Sequence, residues 1–205
     1  MKINIPYNEF DYTYLIDLLR DYRYPRDKIT SLLRCKRIVR VKKGIYILGE
    51  EERSGTYSKE ILANLIYGPS YVSLEYALSY YQVIPERVEA VTSVTTRKNK
   101  DFLTPVGSFT YRYLNKDIFP YGIRNVTTGD GRSFLIASPE KALADRIYFE
   151  RGLDSKDEVR DYLLDSIRVD SEALDRLDCR KLSDIASLYK KRKLHMLSEI
   201  VMEQS

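Results

Sequence analysis

Arg26, Thr30, Arg34 and Arg37 follow one another at intervals of four, four and three residues. On a helix turning about 100° per residue, that spacing gathers the four side chains within an arc of roughly 80°. Guanidinium groups aligned in this way make bidentate hydrogen bonds to guanine in a major groove, and a threonine hydroxyl reaches bases or phosphates. Lys28 and Lys36 belong to the same stretch, and Arg40, Lys42 and Lys43 come directly after it. Cations in such positions meet phosphate oxygens, which fix register without reading sequence. The chemistry that these residue types can do is recognition of duplex DNA.

The charge is concentrated where these residues lie. Between Arg20 and Lys43 there are ten Lys or Arg against Asp21 and Asp27, a local surplus of eight, although the whole chain of 205 residues carries only +4. A basic run alone is most often a solvated face. Here it coincides with a recognisable shape. Phe10, Tyr14, Leu15, Leu18 and Tyr22 have helical spacing and predict a first helix from Glu9 to Tyr22. Tyr24 and Pro25 interrupt it, and proline suits the first turn of a second helix, predicted from about Pro25 to Lys36. Ile29, Leu32 and Leu33 supply its packing stripe beside the arginine arc. The period then changes to two through Ile38, Arg40 and Lys42, turns at Lys43-Gly44 and returns through Ile45 to Leu48. Two helices followed by a basic-tipped hairpin predict a winged helix-turn-helix.

Gly49 to Gly55 carries two glycines and a charge run without an apolar residue, which predicts a linker. The expected domains are therefore 1–52, for DNA binding, and 53–205. In the second, Lys59 to Tyr67 predicts a helix that Gly68-Pro69 stops, Tyr71-Val72 a short strand, and Ser73 the N-cap of a helix through Leu74, Ala77, Leu78 and Tyr81. Val88 to Thr96, Ser108 to Leu114, Ile123 to Thr128 and Ser133 to Ala137 are rich in β-branched and aromatic residues, so they predict strands of an antiparallel sheet. Ser138-Pro139-Glu140 predicts a helix start, and after Gly152 the pattern is helical, opened by the capping box of Ser155 and Glu158. The expected class is α+β: a winged helix-turn-helix, a mixed α/β domain to about residue 150, and a helical region over 151–205.

Few residues offer other chemistry. His195 is the only histidine and has no acid partner in its neighbourhood, so packing or solvent exposure explains it better than catalysis. No P-loop, GxGxxG, HxxxH, CxxC or GxSxG pattern occurs. Glu140 and Lys141 read as capping residues, and Asp130 between two glycines reads as a turn residue. Cys35 and Cys179 lie far apart with no further ligand nearby, so neither a zinc site nor a disulfide is expected. No catalytic residue, metal or cofactor is expected. Lys190, Lys191, Arg192 and Lys193 form a compact basic run, best read as a solvated interhelix turn and alternatively as a second phosphate patch. Eighteen tyrosines with no tryptophan raise the question whether Tyr76, Tyr80, Tyr81, Tyr111 and Tyr113 line a groove for unpaired bases or simply cover the sheet. No apolar run reaches a membrane span and no secretory leader is legible, so a cytoplasmic location is expected.

Three stretches resemble the AbiEi antitoxin family of abortive-infection systems: Ile38 to Tyr46 (IVRVKKGIY), Tyr71 to Leu78 (YVSLEYAL) and Ala137 to Asp145 (ASPEKALAD). Their order and spacing anchor residues of about 10 to 150. The resemblance implies an antitoxin of the type IV kind, whose N-terminal domain represses its own operon at repeated upstream sites. It further implies that the C-terminal domain counters a nucleotidyltransferase-like toxin without forming a stable complex. No catalytic residues carry over. Two alternatives stay open: a stand-alone regulator whose second domain binds a ligand or partner, and a nucleic-acid-processing enzyme dependent on a divalent metal.

Overall fold

Asp11 opens the first helix by accepting a hydrogen bond from the Tyr14 amide at 2.8 Å, and the residues leading to it are extended. The computed structural model describes residues 5–204. Glu9–Asp11 form strand β1, Tyr12–Leu18 helix α1, Pro25–Arg34 helix α2, Ile38–Lys42 strand β2 and Ile45–Leu48 strand β3. The three strands make an antiparallel sheet in the order β1-β3-β2. The helix predicted to start at Glu9 thus starts three residues later. Phe10 and Tyr14 are four apart as on a helix, yet Phe10 lies opposite Tyr46 across the strand pair, and the two rings stack at 6.2 Å.

α2 stops before its predicted end. Lys36 adopts a left-handed conformation, with φ of 55°, its amide donates to the Leu33 carbonyl at 3.1 Å, and the Arg37 amide donates to Leu32 at 3.0 Å. This pair of bonds closes the helix end in a Schellman arrangement, with lysine where glycine is commonest. Arg37 is therefore not on the helix, and the arginine arc is reduced to Arg26, Thr30 and Arg34. Gly49 abuts this closure, for a Cβ there would lie 1.9 Å from the Lys36 carbonyl oxygen. Only glycine lets β3 leave the sheet so close to the end of α2.

Alternation along β3 feeds two cores. Tyr46 and Leu48 pack with Phe10, Leu15, Leu19, Ile29, Leu32 and Ile38, whereas Ile45 and Ile47 face the opposite side and join the main core. Burial on both faces ties the first module to the second body of the chain. Polar contacts add to it: the Asn8 amide donates to the Thr56 carbonyl at 3.0 Å, and the buried Glu9 carboxylate pairs with Arg132 and accepts the Ser58 amide.

The second body begins with α3 (Lys59–Ile66), β4 (Ser70–Val72), α4 (Leu74–Tyr80) and β5 (Val91–Thr95). It continues through β6 (Lys100–Thr104), β7 (Gly107–Tyr113), β8 (Ile123–Thr127), β9 (Ser133–Ala137) and α5 (Pro139–Phe149). The sheet order is β6-β7-β5-β4-β9-β8. Two pairings, β4 with β9 and β5 with β7, are parallel, so the sheet is mixed rather than antiparallel. β6 carries no apolar alternation to signal it. It is an edge strand on which Leu103 is 89% exposed, and Lys100 and Asp101 at its start are charges of the kind that keep edges from pairing further.

α6 (Lys156–Asp161), a π-helical turn (Tyr162–Ser166), α7 (Ser171–Asp175), α8 (Cys179–Leu188) and α9 (Arg192–Gln204) complete the chain. The Ser155–Glu158 capping box is present as predicted. α5 and α9 pack against α8, and Leu143, Ile147, Leu182, Leu194 and Leu197 are all but inaccessible between them. The architecture is mixed α+β.

Candidate nucleic-acid interface

α2 turns Ile29 and Leu32 inward and leaves Arg26, Thr30 and Arg34 exposed on its outer side. The Thr30 hydroxyl donates to the Arg26 carbonyl at 3.1 Å, which leaves its oxygen to accept from a ligand. Arg26 and Arg34 form no ion pair among the described residues. Lys36 is likewise exposed, just past the helix end. Lys28 is half-buried, with its ammonium 5.2 Å from the Tyr22 ring centre. Arg37 departs from the predicted role, because its Nε lies 2.5 Å from Glu52 Oε1 and that hydrogen-bonded carboxylate raises its already high pKa further. A guanidinium held in this way ties the end of α2 to Glu52.

In the β2–β3 hairpin, Lys43 is exposed at the tip beside Gly44, whose φ of 89° makes the turn. Arg40 is exposed and lies over the Tyr46 ring at 5.8 Å. The expected alternation of Arg40 and Lys42 on one face fails at a bulge between them, and a bulge re-aims the side chain next to it. Lys42 donates to the Ile66 carbonyl at 2.7 Å and covers Phe102 at 4.7 Å. Burial, and after it the nearby charges of Lys100 and Arg97, pushes its pKa down. Lys42 thus faces the second body, and the tip keeps Arg40 and Lys43.

Arg23 and Tyr24, at the entrance to α2, are not singled out by spacing. Tyr24 is 60% exposed and the Arg23 guanidinium lies 5.2 Å from its ring centre. Together with Tyr12, Ile16, Pro25 and Arg26 they line a cleft of about 510 Å³. Only their position next to the proline-marked helix start signals them in the sequence. Of the run Lys190 to Lys193, Lys190 and Lys191 are exposed between α8 and α9 and Arg192 is exposed at the start of α9, whereas Lys193 is half-buried and donates to the Glu150 carbonyl.

The tyrosines do not share one groove. Tyr111 is buried and donates to the Ala63 carbonyl at 2.7 Å, Tyr76 donates to Glu60 at 2.6 Å, and Tyr80 meets Tyr81 edge to face at 5.2 Å. Tyr113 alone of the five faces the cleft beside Arg97 and Lys98.

A buried polar cluster replaces the capping role expected of Lys141. Asp145 accepts from Ser73 Oγ at 2.7 Å, from Tyr71 Oη at 3.0 Å and from Tyr189 Oη. Lys141 Nζ donates to Tyr189 Oη at 2.6 Å and lies 3.5 Å from Asp145 Oδ1, with both charged side chains fully buried. Burial lowers the Lys141 pKa, and Asp145 opposes that shift. Ser73, expected to cap α4, makes no side-chain cap bond and serves the cluster instead. Its members come from β4, α5 and the end of α8, so it ties sheet to helices away from solvent.

Among the described residues no three His, Cys, Asp or Glu are grouped to hold a metal ion, and no helix is long and apolar enough to cross a membrane. No family model matches the sequence, and no curated protein matches it significantly.

Proposed function

We propose that the chain is a winged-helix DNA-binding protein that represses its own operon as the antitoxin of a type IV pair. The observation that carries the DNA-binding half is the outer face of α2, where Arg26 and Arg34 stand exposed, with no ion pair among the described residues, beside a hairpin tipped by Lys43. The order β1-α1-α2-β2-β3, with β3 between β1 and β2, supports the winged reading. Such a module lays its second helix in the major groove and its hairpin on the backbone. The antitoxin half rests on the resemblance of the three stretches, which correspond to β2–β3, β4–α4 and β9–α5. The last two of these meet through Tyr71, Ser73 and Asp145, so both belong to one buried junction of this chain. Counteraction of a nucleotidyltransferase-like toxin would then use the outer surface of the second body.

Titration of the full chain against duplex DNA from upstream of its gene, and against a random duplex, tests the reading. Arg34→Ala is expected to weaken the specific complex by about 1–3 kcal/mol and to relax base preference. Equal losses on both duplexes would remove Arg34 as a base reader. Lys43→Ala is expected to weaken both complexes alike and to reduce the salt dependence by about one phosphate. An unchanged salt slope would count against contact between hairpin and backbone.

A further inference from the structure

Three rings cluster, edge to face or tilted, at the junction of β6, β7 and the end of α3: Tyr67 lies 5.3 Å from Tyr111 and 5.7 Å from Phe102, and Phe102 lies 5.7 Å from Tyr111. Cations cover this cluster. The Arg97 guanidinium is 5.5 Å from the Tyr67 centre, and the Lys100 ammonium is 5.9 Å from Tyr67 and 5.3 Å from Phe102. Lys42 reaches the same Phe102 ring from the hairpin side. Arg97, Lys98 and Lys100 are exposed and form no ion pair among the described residues, while the neighbouring Asp101 is taken by Arg112 at 2.9 Å. Beside them opens a cleft of about 800 Å³, lined in part by Tyr67, Arg97, Lys98, Asn99, Tyr113 and Phe149. Tyr113 is 51% exposed there.

The loop that presents these cations is held at both ends. Thr95 Oγ1 donates to the Pro69 carbonyl at 2.8 Å and accepts the Arg97 amide at 3.2 Å, and Asn99 Oδ1 accepts the Tyr113 amide at 2.6 Å. Like charges have therefore been brought together on a fixed loop, with no ion pair to any described residue. That arrangement favours an anionic ligand. The exposed Tyr113 ring, with the half-buried Tyr67 and Phe149 beside it, adds a second requirement. A duplex hides its base faces, whereas an unpaired strand offers phosphates to the cations and bases to the rings.

We propose that Arg97, Lys98 and Lys100, with Tyr113 in the adjoining cleft, form a binding surface for single-stranded nucleic acid, separate from the duplex-contacting face of α2. Lys98 and Lys100 neutralise backbone phosphates, and Tyr113 stacks on a base. Because the surface lies on the second body, it does not depend on the role assigned to α2. DNA and RNA strands share the chemistry, and their relative affinities identify the source.

Fluorescence anisotropy of the full chain with labelled DNA and RNA strands of about fifteen nucleotides, long enough for one such site, provides the test, with the upstream duplex in parallel. At least one strand type is expected to bind. Lys98→Glu, a change at a side chain with no cation–π contact among the described residues, is expected to weaken strand binding about tenfold, and Tyr113→Ala by a similar factor. Replacing Arg97, Lys98 and Lys100 together by alanine is expected to abolish it while duplex affinity stays within about twofold. Arg34→Ala is expected to leave strand binding unchanged, which separates failure of this surface from failure of the α2 reading. Strand affinity unchanged by Lys98→Glu and by the triple variant would overturn the proposal. So would equal losses for strand and duplex, which would make the loop part of the duplex footprint, or a mononucleotide competing as well as the strand.

Discussion

Asp145→Ala is expected to cost about 3–5 kcal/mol of folding stability, the usual penalty for removing one partner of a buried ion pair. Among the described residues Asp145 is the only carboxylate paired with Lys141, and it accepts three hydroxyl bonds besides. Without it the ammonium is left with Tyr189 Oη at 2.6 Å and the Ile118 carbonyl at 3.4 Å, which are dipoles where a full charge is needed. Domains of this size are stable by about 5–15 kcal/mol, so the loss brings the variant close to unfolding at ordinary temperature. Urea denaturation of the full chain measures it. Adding Lys141→Met removes the orphaned charge and is expected to restore part of the loss, since apolar replacements of similar volume are tolerated where single deletions are not. A stability within about 0.5 kcal/mol of the parent, the range of neutral surface changes, would mean that the cluster does not hold sheet and helices together.

Alkali is expected to unfold the chain steeply, through the same cluster. Tyr71 and Tyr189 are buried, and desolvation, reinforced by the Asp145 charge, raises both pKa values well above the usual 10.0. Their stabilisation is complete below the unfolded tyrosine value. Above it the unfolded chain releases two protons that the folded chain retains, so stability falls as pH rises toward the folded values. Two retained protons correspond to about 2.7 kcal/mol per pH unit. The onset therefore lies near pH 10, the ordinary tyrosine value, and Tyr189→Phe is expected to halve the slope contributed by this pair. Tyrosinate absorbance monitored together with circular dichroism checks this. Gradual ionisation of all eighteen tyrosines with no accompanying loss of structure would contradict it.

Local signals carried much of the fold. Ser138-Pro139 and the Ser155–Glu158 box mark helix starts by chemistry confined to one turn, and the strand over Ser133–Ala137 matches its prediction at both ends. The misses are long-range. Phe10 is compatible with a helix until β3 is available to pair with it. The parallel pairing of β4 with β9 joins Val72 to Ile136, and no short window contains both. Lys141 has its ion-pair partner Asp145 one turn along α5, but the pair gives no local sign of burial, because the groups that complete it, Tyr71 of β4, Ser73 and Tyr189 at the end of α8, are distant in sequence. At the candidate interface, the arginine spacing located α2, but the left-handed Lys36 took Arg37 off the helix and the bulge after Arg40 turned Lys42 toward Ile66. Both are backbone irregularities, and an ideal helical wheel or an ideal strand contains neither.

The role proposed for α2 and the hairpin is sequence-specific binding of duplex DNA. Hydroxyl-radical footprinting of the DNA upstream of this gene by the full chain tests it most directly. Protection is expected at repeated sites spaced by whole helical turns of about 10–10.5 base pairs, lost first at individual nucleotides in Arg34→Ala and uniformly in Lys43→Ala. Absence of protection by the folded protein, at concentrations that leave a random duplex equally bound, would contradict it.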